Sequence, residues 1–381
     1  MLLLFDADVP KEKHSFFNQV KQLDPIGALL FVPSMVSLIL ALQWGGSVEF
    51  PWSAPRVIGL FVTFAVLFVA FAAVQVKMPE MAMAPMRIVL NRSVGSCMLF
   101  MLLNSGSLMC VAYYITIWFQ AAQDTSAMQA GIRSLPLVLG LTVMGIIVAV
   151  FTQKVGYYVP GLLLSPVLSS AGAGMLSTLV PASGPATWIG YQTLFGLGVG
   201  AGFQTSNLPA QSVLPRADVP LGVSMMFFSQ QLGGAVFLSV AQNIFTSQLV
   251  SKLSGVAGLD PQVIVNTGAT EIRRVVPPDE VDAVVGAYNF ALTRVFILSA
   301  ALSAVTIFAA AAVEWKNIKK PTKTKEGHDV AKNVGDAAID TVSAAAIEKQ
   351  EHGLAKGLEE VGSGTQRTDG DGGIKAAKEK S

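Results

Sequence analysis

The residues able to do chemistry in the apolar part of this sequence are neutral. Amides and a phenol stand at Asn104, Tyr113, Gln192, Gln204, Asn207, Gln230 and Gln231, each inside or just past a long aliphatic run, with Asn243 a further amide. Such groups donate and accept hydrogen bonds without titrating near neutrality. A few placed polar groups on an apolar wall suit a large, mostly apolar, weakly polar ligand. The same groups can instead hydrogen-bond between helices, at about 0.6 kcal/mol each on average. Gln192, Gln230 and Gln231 support both readings equally. For Asn104, Tyr113, Gln204 and Asn207 packing is the stronger reading, and all seven are kept as candidates for a small-molecule substrate path.

Proton transfer through lipid needs a titratable group, usually a carboxylate whose pKa burial raises toward neutrality. No Asp or Glu falls inside the apolar runs. Arg294 is the one charge there, near a run's end, where anchoring by snorkelling is favoured over a substrate or ion role. His14, His328 and His352 lie outside the runs and far apart, and HExxH, GxSxG and a lysine-bearing phosphate loop are all absent. An enzyme is therefore not expected. Met78, Met81, Met83 and Met86 are irregularly spaced without Cys or His, which suits membrane contact better than metal. Cys97 and Cys110 share one run and read as packing residues. A net charge of +1 gives no case for nucleic acid.

The elements that must position these groups are membrane helices. With 52% hydrophobic and 13% charged residues, the chain is not an ordinary soluble domain. About eight runs approach the roughly 20 apolar residues that cross a hydrocarbon core. They fall near 26–44, 57–76, 94–119, 135–151, 161–180, 188–204, 221–245 and 288–313. Pro33 is expected to kink the first and Pro166 to break the fifth early. In the sixth, Gly196 pairs with Gly200 and Gly198 with Gly202, giving smooth faces for neighbouring helices; Gly233 and Gly234 do the same in the seventh. A dinucleotide loop would need a preceding strand and a following helix, and these glycines sit mid-span instead. Pro209 and Pro215 should end the sixth helix.

The expected fold is an all-α polytopic bundle in the lipid bilayer. Its parts are an N-terminal segment (1–25), a helix pair (26–76), an interfacial loop with a short amphipathic turn (77–93), a six-helix unit (94–313) and a disordered tail (314–381). The returns at 120–134, 209–220 and 246–285 read as polar loops. Lys and Arg concentrate in 1–25, 77–93, 152–160, 209–220 and the start of the tail, so these face the cytosol and both termini are inside. Asn91-Arg92-Ser93 lies on that side and should be unglycosylated. Lys316, Lys319, Lys320, Lys323 and Lys325 suit anionic lipid better than a partner motif.

Trp188-x-Gly190-Tyr191-Gln192, Gly196-x-Gly198-x-Gly200, Gln204, Gln211 and Phe228-x-Gln230-x-x-Gly233-Gly234 together resemble the C-terminal part of the major facilitator superfamily. The nearest likeness is the fourteen-spanner drug:proton antiporter branch, especially fungal toxin and multidrug efflux pumps. Leu23-Asp24-Pro25-Ile26-Gly27 resembles the start of that branch's two extra central helices. Pro85-Met86-Arg87 through Asn91-Arg92-Ser93 is similar to its loop before the second helical half, and Gln129-Ala130-Gly131-Ile132-Arg133-Ser134-Leu135-Pro136 to an outer loop motif. Lys154-Val155-Gly156, followed by Tyr157 and Tyr158, looks like a weak copy of the branch's charged loop. The resemblance covers about 15–315 and implies proton-driven export of small organic molecules, without a cofactor, at the plasma membrane. It also implies six further spans before residue 15, carrying the antiporter motif and the proton site. The chain is therefore expected to be an incomplete pump lacking its N-terminal half. The alternative is a non-transporting half-pump that partners another transporter.

Overall fold

The computed structural model describes residues 24–45, 50–77, 86–216, 218–254 and 276–316. Among them every regular element is helical: α1 (Pro25–Trp44), α2 (Pro55–Lys77), α3 (Met86–Val89), α4 (Arg92–Gln123), α5 (Ala127–Arg133), α6 (Leu135–Val155), α7 (Val159–Leu176), α8 (Pro185–Ser206), α9 (Leu208–Val213), α10 (Val219–Leu253), the 3-10 turn Pro278–Glu280 and α11 (Val281–Ala312). The expected N-terminal segment before Asp24, the methionine-rich stretch 78–85 and the tail from 317 lie outside the described residues.

Among the described residues, seven helical stretches are long and apolar enough to cross a bilayer: Pro25–Trp44, Pro55–Lys77, Arg92–Gln123, Ala127–Val155, Val159–Leu176, Val219–Leu253 and Pro278–Ala312. The remaining expected span, the sixth, is α8; it has 22 residues and no charge, but its small residues dilute its apolar character. It is an inner helix, packed on α6 along one side and α7 along another.

Local sequence sets the helix starts. Asn91 caps α4 through Ser93 N and Val94 N, and Ser126 caps α5 through Gln129 N. Prolines at the first turns of α1, α6, α7, α8, α9 and α10 use positions whose N–H needs no partner. Several expectations are corrected here. Pro166 does not break the fifth span: α7 runs through it from Val159 and stops at Leu176, short of 180. Pro209 sits in the first turn of α9, and α8 ends at Ser206. The supposed polar loops are shorter, because α5 occupies 127–133, α9 occupies 208–213, α10 runs on to Leu253 and α11 starts at Val281. Burial drives these extensions: Phe245, Leu249 and Leu253 of α10 and Val284, Ala287 and Tyr288 of α11 belong to one apolar core. Packing there continues past the run of uncharged sequence.

The helices from α4 to α11 form two tight groups. Helix α4 packs on α10 and α11, α8 packs on α6 and α7, and α7–α11 and α4–α8 contacts join the groups. Exchanging α4, α6 and α7 with α8, α10 and α11 maps most of these neighbours onto one another, the pattern of an internal repeat. The α1–α2 hairpin docks through α1 on α10, with the Phe31 ring 4.8 Å from Phe71 and 5.1 Å from Phe228. Asn243 of α10 donates to the Leu42 carbonyl at the same contact.

The loops sort to two ends. At one, Arg87 pairs with Asp218 at 2.8 Å, Arg92 Nε donates to the Ala312 carbonyl at 2.8 Å and Tyr158 OH donates to the Glu314 carbonyl at 2.8 Å. At the other, Gln123 Nε2 donates to the Ser183 carbonyl at 2.9 Å and Trp118 Nε1 donates to Asn289 Oδ1 at 2.8 Å. The lysine- and arginine-rich returns therefore share one end of the bundle.

Candidate functional site

Helices α4 and α10 meet along a seam that only glycine permits. A Cβ on Gly233 would collide with the Leu102 carbonyl, and one on Gly234 would lie 3.0 Å from Met109 Cγ. Further along, Tyr114 OH donates to Gln242 Oε1 at 2.8 Å. Leu102 faces Gly233 and Tyr114 faces Gln242, so the two helices run parallel. Beside the seam, Met109 and Tyr113 of α4 are exposed, as are Phe227, Phe228 and Gln231 of α10; Gln230 is half-buried. This is an apolar face with few polar groups, able to hold a weakly polar organic molecule. By the register of the seam, Tyr113 and Gln231 lie on the order of 20 Å apart along the helices, at 1.5 Å per residue. They mark two levels of one face and not one site.

The other candidates sit elsewhere. Asn104 is fully buried and neither amide atom has a hydrogen-bond partner among the described residues. One turn before it, the Phe100 ring and Ser165 Oγ close on Gly202. One turn after it, Ser107 Oγ shares hydrogen bonds with Ser299 Oγ (2.6 Å) and Ser303 Oγ (2.7 Å). Gln192 is fully buried too, and its Nε2 donates to the Arg133 carbonyl at 3.1 Å. Asn207 is half-buried and donates to the Phe203 carbonyl at 3.3 Å, while Gln204 is exposed one turn earlier. Gly196 and Gly200 turn to the Leu137 and Leu141 carbonyls of α6; Gly198 turns to Ser169 of α7. With Gly202 against Ser165 of α7 and Phe100 of α4, the four glycines of α8 serve three neighbours.

Sequence reasoning passed over several of the polar groups that join helices. The Ser107–Ser299–Ser303 cluster ties α4 to α11; its only signal is serine within apolar runs. Arg133 anchors the turn into α6. Its guanidinium donates to Gln123 Oε1 at 2.6 Å and lies 5.8 Å from the Phe119 ring and 6.0 Å from the Trp188 ring. Trp188 and Phe119 meet edge to face at 5.0 Å. The Arg133-Ser134-Leu135-Pro136 segment therefore locks one end of the bundle to the start of α8. Among the described residues no group of three His, Cys, Asp or Glu could hold a metal ion.

Apolar helices in series, packed through small residues and neutral hydrogen bonds, define a polytopic integral membrane protein. No protein-family model matches the chain. Individual proteins do. It is 42% identical over 315 residues to the MFS-type efflux pump MFS1 of Arthroderma benhamiae, covering 81% of this chain and 59% of that protein. It is 41% identical over 326 residues to the efflux pump aflT of Aspergillus parasiticus (84% and 63%), and 42% identical over 318 residues to the efflux pump roqT of Penicillium rubens (82% and 58%). The chain belongs to the major facilitator superfamily, in its fungal efflux-pump branch. It spans about six tenths of the length of these relatives.

Proposed function

We propose that this chain forms part of an efflux transporter that exports small organic molecules by alternating access across the plasma membrane. The observation that carries this reading is identity of about two residues in five, over most of the chain, to proteins named as efflux pumps. The exposed face of α4 and α10, with Met109, Tyr113, Phe227, Gln230 and Gln231, supplies one wall of the substrate path. Facilitators bind substrate between two helical halves near the midplane, so a further set of helices would supply the opposite wall. The chain needs no bound cofactor in this reading, and a proton gradient drives the cycle. The coupling group would come from the second set of helices, since the described acidic residues lie at helix ends or in the loops. The lysine- and arginine-rich end of the bundle faces the cytosol.

The test is export of a fluorescent organic dye from yeast stripped of its own pumps. Cells expressing the full-length gene, with and without an uncoupler, are compared with cells expressing Gln231→Ala at equal protein level. Uncoupler-sensitive efflux that Gln231→Ala alters supports the reading; dye retention identical to empty cells, with the protein present at the membrane, refutes it.

A further inference from the structure

Two cations share one aromatic ring at an end of the α10–α11 pair. Lys252 Nζ lies 4.4 Å from the Phe290 centroid and Arg294 Cζ lies 4.5 Å from it, so the charges are at most about 9 Å apart. Both side chains are exposed, and neither has an ion-pair partner among the described residues. A cation pair placed without an acid repels itself and gains from an anion between its members. Next to it a cleft of about 420 Å³ opens between the two helices, lined by Ile244, Gln248, Arg294, Ile297 and Leu298.

The cleft has a gradient. Helices α10 and α11 are antiparallel here, with Lys252 beside Phe290 and Ile244 beside Ile297 and Leu298. Charge therefore lies at the end of the pair, the Gln248 amide below it, and aliphatic side chains about 12 Å further in, at 1.5 Å per residue. A soluble anion would use only the top of such a cleft. A molecule with a phosphate at one end and a hydrocarbon chain at the other would use all of it. The surroundings supply that molecule, because these helices cross lipid.

We propose that Lys252 and Arg294 bind the phosphate of a membrane phospholipid whose acyl chain lies along Ile244, Ile297 and Leu298. Phe290 holds both cations in place by its ring face. Gln248 donates to the phosphate or glycerol oxygens. Arg294 then acts as one half of a lipid clamp, beyond the anchoring expected of an arginine near a span's end.

The test is native mass spectrometry of the detergent-purified full chain titrated with phosphatidylglycerol. One retained lipid is expected on the wild type. Lys252→Gln with Arg294→Gln should weaken it about thirtyfold, since each basic residue near a membrane surface is worth about a factor of five toward anionic lipid. Lys252→Arg with Arg294→Lys should stay within about threefold, because both charges persist. Ile297→Trp, which fills the cleft and leaves the charges, should also weaken retention. Size-exclusion profiles matching the wild type establish folding. Equal retention by wild type and the double glutamine variant overturns the proposal. So does full displacement by inorganic phosphate, which would mark a free-anion site, or by diacylglycerol with the same chains, which would mark an apolar groove alone.

Discussion

Gln75 Nε2 at the end of α2 donates to Asp24 Oδ2 at the start of α1, 2.6 Å away. The other carboxyl oxygen of Asp24 accepts from Gly27 N at 2.8 Å, so one side chain caps α1 and closes the α1–α2 hairpin. Asp24 holds a left-handed backbone, φ 46°, to do this. Asp24→Ala removes the cap and the bond from the buried Gln75 amide, and should cost about 1–3 kcal/mol. Melting followed with a thiol-reactive dye reads this directly, since Cys97 and Cys110 are buried free thiols that label on unfolding. An unchanged melting midpoint would show that the hairpin holds without the Asp24 carboxylate.

Close helix approach predicts a contrast between glycines. Gly233→Ala puts a methyl group into the Leu102 carbonyl and should destabilise by about 1–3 kcal/mol, with loss of detergent-stable protein. Gly190→Ala meets nothing within 4 Å and should stay within about 0.5 kcal/mol of wild type. Similar yields and melting for the two variants would contradict the seam.

The serine cluster between α4 and α11 predicts measurable coupling. A double-mutant cycle of Ser107→Ala and Ser303→Ala should return about 0.6–1.7 kcal/mol, the range of interhelical hydrogen bonds in membranes. Strict additivity would mean that each serine bonds its own helix instead.

Tyr158 predicts an alkaline signature. Burial pushes its phenol from 10.0 up to about 12, and its OH donates to the Glu314 carbonyl. The unfolded chain releases that proton first, so stability from this group is intact below pH 10 and is lost as pH rises through about 12. Thermal melting of wild type should fall between those values more steeply than that of Tyr158→Phe. Parallel curves would remove the tyrosine from the account.

The two buried or exposed settings of glutamine predict a split between stability and export. Gln231→Ala changes an exposed side chain, so melting should hold while dye efflux shifts. Gln192→Ala cuts the bond to the Arg133 carbonyl and should lower the melting point by the equivalent of about 1 kcal/mol. Efflux per folded molecule separates the two effects. Lost efflux with unchanged melting for Gln192→Ala would place that amide on the path.

Much of this was legible in the chain itself. Length and absence of charge marked the apolar helices, because lipid penalises an unpaired charge or amide so heavily that few alternatives survive. Glycine spacing marked α8 as a helix with smooth sides, whereas the caps Asn91 and Ser126 emerged only with the structure. Helix lengths past the lipid boundary were less legible. The apolar core reaches Leu253 and Val284, and polar residues beside them look like loop.

Sequence by itself determined that this protein is helical, crosses lipid and carries no carboxylate in its apolar runs. These follow from side-chain transfer free energy, a property each residue has alone. Only the tertiary structure decided which amide does what. It buried Asn104 and Gln192, exposed Tyr113 and Gln231 at different levels, and set Lys252 and Arg294 on one ring. A polar side chain on a membrane helix can face a neighbour, a cavity or lipid, and which it faces depends on helix rotation and register. Those are fixed by packing between segments far apart in the chain, such as Leu102 on Gly233, which local sequence does not encode.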